Sequence, residues 1–321
     1  MIVVTGARGF LGRAVMAGLA ERGLAVRGLV RALDAATAAR VEYLAVGDLT
    51  TASDDALGNA LRGARAVVHL AAQAHRPLDA DTESLAALRR VNVEASGRLA
   101  DAAAAAGASH FVLASTVKIH GERSMPGRPL RESDPPQPSD DYATSKWAAE
   151  RTLEIVAERT ALRVTALRLP LAYGPGVKAN FAALVRAVAR GVPLPLAAVA
   201  NRRSVLGTGN FVSALAALLA SEGASDRGAL TPYFVTDAEA VSTPDLVRAI
   251  AQALRVAPHL FPVPEPALRI AGAWLGMSER VERLLDTLEA DATAFRTRFA
   301  WTPPYSLAQG VAAMLGDRPP L

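Results

Sequence analysis

The stretch "VVTGARGFLG" (Val3–Gly12) decides the fold. The apolar run Ile2–Thr5 has the length of a buried strand. Gly6, Gly9 and Gly12 follow, three apart. From Phe10 to Arg22 apolar residues recur at helical spacing, and Gly23 stops the pattern. Strand, glycine turn and helix in that order read as a phosphate cradle. Gly6 permits the tight turn, Gly9 lets backbone approach a pyrophosphate, and Gly12 lets the helix pack close to the sheet. Loop residues Arg8, Phe10 and Leu11 complete the cradle, whose helix N-terminus offers unpaired N–H groups to an anion.

Beyond the loop, strands and helices alternate. Strands are expected at Leu24–Val30, Val41–Leu49, Ala64–Ala72, His110–Thr116 and Arg163–Leu169. Helices are expected at Leu85–Ala106 and Tyr142–Arg159. Alternation of this kind implies right-handed crossovers and an α/β fold, a Rossmann-type doubly wound parallel sheet. After Leu169 the pattern loosens into proline-rich stretches, "GVPLPLAAV" and "HLFPVPEP". Between and after them lie helices near Phe181–Arg190, Asn210–Ser221 and Thr243–Leu254 and a strand at Tyr233–Asp237. A dinucleotide domain over 1–170, with part of 200–240, is therefore expected beside a smaller, mostly helical substrate lobe over 171–321.

The chain has 321 residues, 51% of them hydrophobic and 21% charged, which suits a sizeable core. The absence of cysteine excludes disulfides, thiolate metal sites and cysteine nucleophiles, and no metal site is expected. The net charge is +4 and comes from scattered arginines, since Lys118, Lys146 and Lys178 are the only lysines. No basic run interleaved with aromatics argues for nucleic acid. No stretch approaches the ~18 apolar residues of a membrane span, and no signal peptide is evident. A cytoplasmic protein with an anionic small-molecule substrate is expected.

The T-G-x-x-G-x-x-G spacing resembles the extended short-chain dehydrogenase/reductase family, and further motifs extend the likeness over most of the chain. "GDL" matches the acidic residue that touches adenine in that family, which implies cofactor contacts from Asp48 and Leu49. "HLAAQ" matches the run passing under the cofactor, here Leu70, Ala71 and Ala72. "RLPLAYGPG" resembles the family's R-P-x-x-x-Y-G-P motif and implies a contact from Pro170, with Leu169 where proline is common. At the end of the second strand, where an acidic residue favours NAD, stands Arg31. A guanidinium suits a 2′-phosphate, so NADP(H) is favoured and NAD(H) is the alternative, with Asp34 available for the ribose.

"DYATSKWAAE" places Tyr142 and Lys146 on one helix face. A tyrosine titrates near ~10, and a neighbouring ammonium together with the positive nicotinamide ring is expected to lower that value, making Tyr142 a general acid–base. Aligned on Gly121, Thr116 takes the family's substrate-facing hydroxyl position. Ser115 is the alternative for that role and a cofactor contact. His120 replaces the usual tyrosine and reads as structural.

The second half is similar to bacterial UDP-N-acetylhexosamine 4-epimerases and 4-ketoreductases of O-antigen synthesis. That likeness implies a UDP-sugar substrate, with Arg203 (alternative Arg202) and Asn180 on the nucleotide diphosphate side. Lys118 and Arg283 are further substrate candidates. It also implies a homodimer built on Leu85–Ala106 and the Tyr142 helix. Arg31 tips the expectation toward NADPH-dependent reduction of a UDP-4-keto-6-deoxy-N-acetylhexosamine. The alternative is an NAD-dependent UDP-glucose or UDP-N-acetylglucosamine 4-epimerase. The stretch "STVKIH" lacks the acidic pair of a 4,6-dehydratase, and retention of Thr116, Tyr142 and Lys146 argues against a non-catalytic NADP(H) sensor.

Overall fold

The computed structural model describes residues 1–33, 41–73, 82–177, 179–221 and 227–316. The chain begins β1 (Ile2–Thr5), α1 (Phe10–Glu21), β2 (Val26–Val30), β3 (Glu42–Ala45), α2 (Asp54–Leu61) and β4 (Ala66–His69). Then come α3 (Thr82–Arg89), a π-helical turn (Arg90–Glu94), α4 (Ala95–Ala105), β5 (His110–Thr116), a 3-10 turn (Val117–His120) and α5 (Asp141–Thr160). β6 (Arg163–Leu169), β7 (Leu171–Tyr173), α6 (Ala179–Ala189), β8 (Val205–Gly207), α7 (Thr208–Ala220) and β9 (Leu230–Phe234) follow. The chain continues through α8 (Thr243–Leu254), α9 (Glu265–Trp274), α10 (Ser278–Leu285), α11 (Thr293–Arg298) and α12 (Leu307–Leu315).

Seven strands form one parallel sheet in the order β3-β2-β1-β4-β5-β6-β9. The order reverses at β1, so the crevice beyond the carboxyl ends of β1 and β4 is where a ligand is accommodated in such sheets. Both faces are covered, which explains the unbroken apolar strands. Val15, Met16 and Leu19 of α1 pack with Phe211 and Leu215 of α7 on one face. Leu57 of α2, Leu99 of α4 and Leu153 of α5 cover the other. A separate core, including Tyr173, Phe181, Ile250 and Val311, sits in the later part of the chain. Among the described residues no helix is long and apolar enough to cross a membrane.

Several elements differ from the sequence expectation. The helix expected over Leu85–Ala106 is interrupted by the π-helical turn. The strand expected over Ala64–Ala72 ends at His69, because the Ala71 N–H turns to Thr5 Oγ1. The strand expected over Val41–Leu49 ends at Ala45, just before Gly47 with φ +71°. The strand expected at Tyr233–Asp237 lies at Leu230–Phe234. A second parallel pair, β7 with β8, was not anticipated.

Two buried histidines set the acid limit of this fold. Burial is the main cause that pushes His69 and His110 down from 6.5 to about 3, with the charge of Lys146 adding at His69 and those of Arg163 and Arg65 at His110. Both folded values lie below the unfolded one, so this stability is fully present above about pH 6.5 and is lost as pH falls toward 3. Two such protons give a slope near ~2.7 kcal/mol per pH unit inside that window. Urea unfolding from pH 7 to 4 is expected to show it, and a flat profile would refute it.

Candidate active site

The glycine loop is built as a cradle. Gly6 sits at φ +63°, and a Cβ there would lie 2.7 Å from the Ala71 nitrogen. Gly9 is the N-cap of α1, with no side-chain cap and no acidic residue in the first turn. The helix N-terminus therefore keeps its N–H groups for an anion, and the residues present fit a dinucleotide pyrophosphate.

At the end of β2, the Arg31 side chain is 82% exposed with its Nε 3.7 Å from Asp48. Arg8 donates to the Ala32 carbonyl at 2.9 Å and lies over the Tyr43 ring at 5.6 Å. Two guanidinium groups thus flank the end of this strand. Asp34 lies outside the described residues. Asp48 closes a turn by accepting from the Thr50 N–H and hydroxyl, which holds its carboxyl below the usual range, with a smaller contribution from Arg31. Leu49 follows it, and Leu70, Ala71 and Ala72 form the extended run beyond β4.

A buried hydrogen-bond relay joins this cradle to the π-helical turn. The Ala71 N–H donates to Thr5 Oγ1 at 3.3 Å, and Thr5 Oγ1 lies 2.6 Å from His69 Nδ1. Ser96 Oγ, 2.9 Å from His69 Nε2, donates to the Asn92 carbonyl. Since Ser96 spends its proton on Asn92, His69 must donate through Nε2 and accept from Thr5 at Nδ1. Asn92, fully buried, accepts from the Gln73 N–H and donates to the Gln73 carbonyl and to Ser145 Oγ. This asparagine escaped the sequence reading. Its signal was a lone amide in an alanine-rich helix.

Asp140 caps α5, accepting from the Ala143 N–H at 2.6 Å. Tyr142 lies in the first turn and Lys146 one turn on. Lys146 is 1% exposed, and burial pushes its ammonium down to about 8, with Glu150 opposing. The Tyr142 phenol is pushed up to about 12, chiefly by burial and further by the Asp140 carboxylate. Burial and the Asp140 carboxylate thus favour the protonated phenol among the chain's own groups, whereas the expected lowering also counts the charge of a bound nicotinamide ring.

Thr116 ends β5 and is bracketed by two bonds to α5. On one side Ser115 Oγ donates to Glu150 at 2.5 Å. On the other Lys118 Nζ donates to Asp140 at 2.8 Å and also to Glu122. Tyr142 and Lys146 lie between residues 140 and 150, so these bonds tie the end of β5 to the segment that carries them. Ser115 is spent on Glu150, whereas Thr116 Oγ1 accepts from the Lys118 N–H and keeps its O–H to donate. Burial alone would lower the Lys118 ammonium, but its bonds to Asp140 and Glu122 outweigh that and raise it. His120 is buried against Phe234, and its Nε2 accepts from Arg168 at 2.8 Å. Pro170 is buried directly after β6.

On the later side of the chain, Arg203 bridges Val241 and Leu288 through its backbone and donates to the Asp286 carbonyl at 2.9 Å. Burial lowers its guanidinium pKa. Asp286 and Glu122 oppose that, and the nearby charge of Arg283 adds to it. Two cations are thus brought within electrostatic reach. Arg283 pairs with Glu279 at 3.2 Å, and its buried Nε has no partner. Arg202 instead pairs with Glu289 at 2.8 Å. Asn180 lies in α6, but its side chain is outside the described residues.

Residues 2–229 match the family model described as "NAD dependent epimerase/dehydratase family". The chain is 34% identical over 315 residues to a UDP-glucose 4-epimerase of Vibrio cholerae, covering 96% of this chain and 92% of that one. It is 27% identical to a ceramide reductase of Caulobacter vibrioides, over 98% and 90% of the two chains. Among solved structures it resembles MoeE5 in complex with UDP-glucuronic acid and NAD, with a TM-score of 0.76, 25% identity and 98% and 97% coverage.

Proposed function

The chain belongs to the NAD dependent epimerase/dehydratase family, and from that premise we propose that it acts at C4 of a UDP-linked hexose or N-acetylhexosamine as a 4-epimerase. The observation that carries this reading is that the end of β5 bearing Thr116 is tied, through Ser115–Glu150 and Lys118–Asp140, to the segment bearing Tyr142 and Lys146 at the carboxyl end of the sheet. Identity to the V. cholerae 4-epimerase over nearly the whole chain supports the substrate class.

A bound nicotinamide dinucleotide supplies the hydride acceptor and donor. The chain's residues do the proton work. Tyr142 Oη takes the C4 hydroxyl proton during oxidation and returns it to the C4 oxygen during reduction. The Thr116 hydroxyl donates to the same oxygen and orients it. Lys146, one helical turn from Tyr142, and the ring of a bound oxidised nicotinamide would together supply the positive charge that favours phenolate against burial and Asp140. Arg203 and Arg283 are suited to the diphosphate, since a guanidinium fork matches phosphate oxygens. Purified protein is expected to interconvert UDP-glucose with UDP-galactose, or the N-acetyl pair, without net cofactor consumption. Consumption of NADPH with a 4-keto UDP-sugar, and no interconversion, would overturn this reading.

That second outcome is the 4-ketoreductase reading, and one observation favours it. Arg8 and Arg31 flank the end of β2, where a 2′-phosphate would lie. Arg31→Asp is expected to weaken NADPH binding about tenfold or more, a guanidinium–phosphate contact being replaced by repulsion. Fluorescence titration with NADPH and NADH checks it, and unchanged NADPH affinity would remove the basis for an NADP(H) preference.

A further inference from the structure

The proton-transfer site rests on a charge that does not touch the substrate. Glu150 is 1% exposed, and so is Lys146, one helical turn before it on α5. Its Oε1 accepts from Ser115 Oγ at 2.5 Å and from Arg168 Nε at 3.2 Å. Its Oε2 accepts from Arg168 Nη2 at 2.6 Å. Arg168 reaches on to His120 Nε2 and the Glu132 carbonyl, and its guanidinium lies over the Trp147 ring. One carboxylate thus ties the ends of β5 and β6 to the helix that carries Tyr142 and Lys146.

We propose that Glu150 is the positioning residue of this site: it clamps the Thr116 end of β5 onto α5 and sets a buried carboxylate one helical turn from the buried Lys146. The inference rests on reading Tyr142 and Lys146 as the proton-transfer pair. The charged and titratable groups around it are Glu150 and Tyr142 from α5, His69 from β4 and Arg168 from β6, with His120 and Asp134 beyond Arg168. His69 is neutral in the relay above, so Glu150 is the negative charge facing Lys146. Loss of the carboxylate therefore removes an attraction from Lys146 and takes from Arg168 its ion-pair partner.

The chain's three lysines make this directly measurable. In full-length protein carrying 13C,15N-lysine, NMR gives separate side-chain resonances, with Lys146→Arg assigning the buried one. In Glu150→Gln, which keeps the shape and an acceptor for Ser115, Lys146 is expected to lose its proton at a pH about one unit lower, a tenfold loss of proton affinity. The Lys118 resonance should stay in place. Glu150→Gln removes the ion-pair partner of Arg168, so Glu150→Gln/Arg168→Gln is measured beside it as a second, charge-balanced variant. The double variant is expected to titrate between the single variant and the wild type. A Lys146 midpoint at the wild-type value in either folded variant overturns the proposal. The titration needs no substrate, so it is independent of the sugar. Full turnover by Tyr142→Phe would instead sink the proton-transfer reading and leave the measured coupling standing.

Discussion

Tyr142→Phe is expected to lower kcat roughly a thousandfold while leaving dinucleotide affinity within a factor of about two. The loss corresponds to about 4 kcal/mol of barrier. Only the Oη is removed, and the ring keeps its place in the first turn of α5, which Asp140 caps independently of Tyr142. The wild-type phenol is held protonated by burial and by Asp140. The proposed cycle needs that one Oη both to take the C4 hydroxyl proton and to return it, and phenylalanine can do neither. Lys146, the neighbour one turn away, is buried behind it and pushed down to about 8. The measurement pairs steady-state turnover with a cofactor fluorescence titration. Retention of more than about a tenth of the activity would move the proton donor elsewhere.

The difference between what was legible in the sequence and what was not follows from the range of the interactions. The glycine loop, the alternating strands and the Tyr142–Lys146 pair are local patterns. Each is fixed by backbone freedom or by side-chain spacing within one element, so each survived into the structure. Asn92 and Glu150 act between elements. Asn92 matters because its side chain bridges Gln73 and Ser145, far from it in the chain, at a π-helical turn that alanine-rich periodicity conceals. Glu150 looked like one more polar position on a helix, and only the closure of β5 and β6 around it buries its charge. The choice between Arg202 and Arg203 was open for the same reason. Arg203 bridges Val241 and Leu288 and feels the charge of Arg283, whereas Arg202 pairs with Glu289, and all of these partners lie far from both arginines in the chain.

Gly12→Ala is expected to be the most damaging single methyl group that can be added to this chain's first domain. An added Cβ would lie 2.0 Å from the Gly6 carbonyl oxygen and 2.8 Å from the backbone of Ala7. Both obstacles are main chain, so no side-chain rotation relieves the overlap. Helix α1 would have to lift from the sheet. That helix carries Val15, Met16 and Leu19 into the core against α7, and lifting it opens their packing. Keeping it down distorts the turn at Gly6, whose N–H and C=O geometry makes the cradle. Either route is expected to cost about 3 kcal/mol or more of stability, at the upper end for overpacking. It should also cost at least tenfold in cofactor affinity. Gly58→Ala is the control: Gly58 lies in α2 with nothing within 4 Å of an added Cβ. There the same methyl group is expected to stabilise by ~0.5–1 kcal/mol through helix propensity. Urea midpoints of the two variants, read with dinucleotide titrations, test the contrast. Coincident unfolding of Gly12→Ala and wild type would show that the helix does not sit on the loop as closely as these distances require.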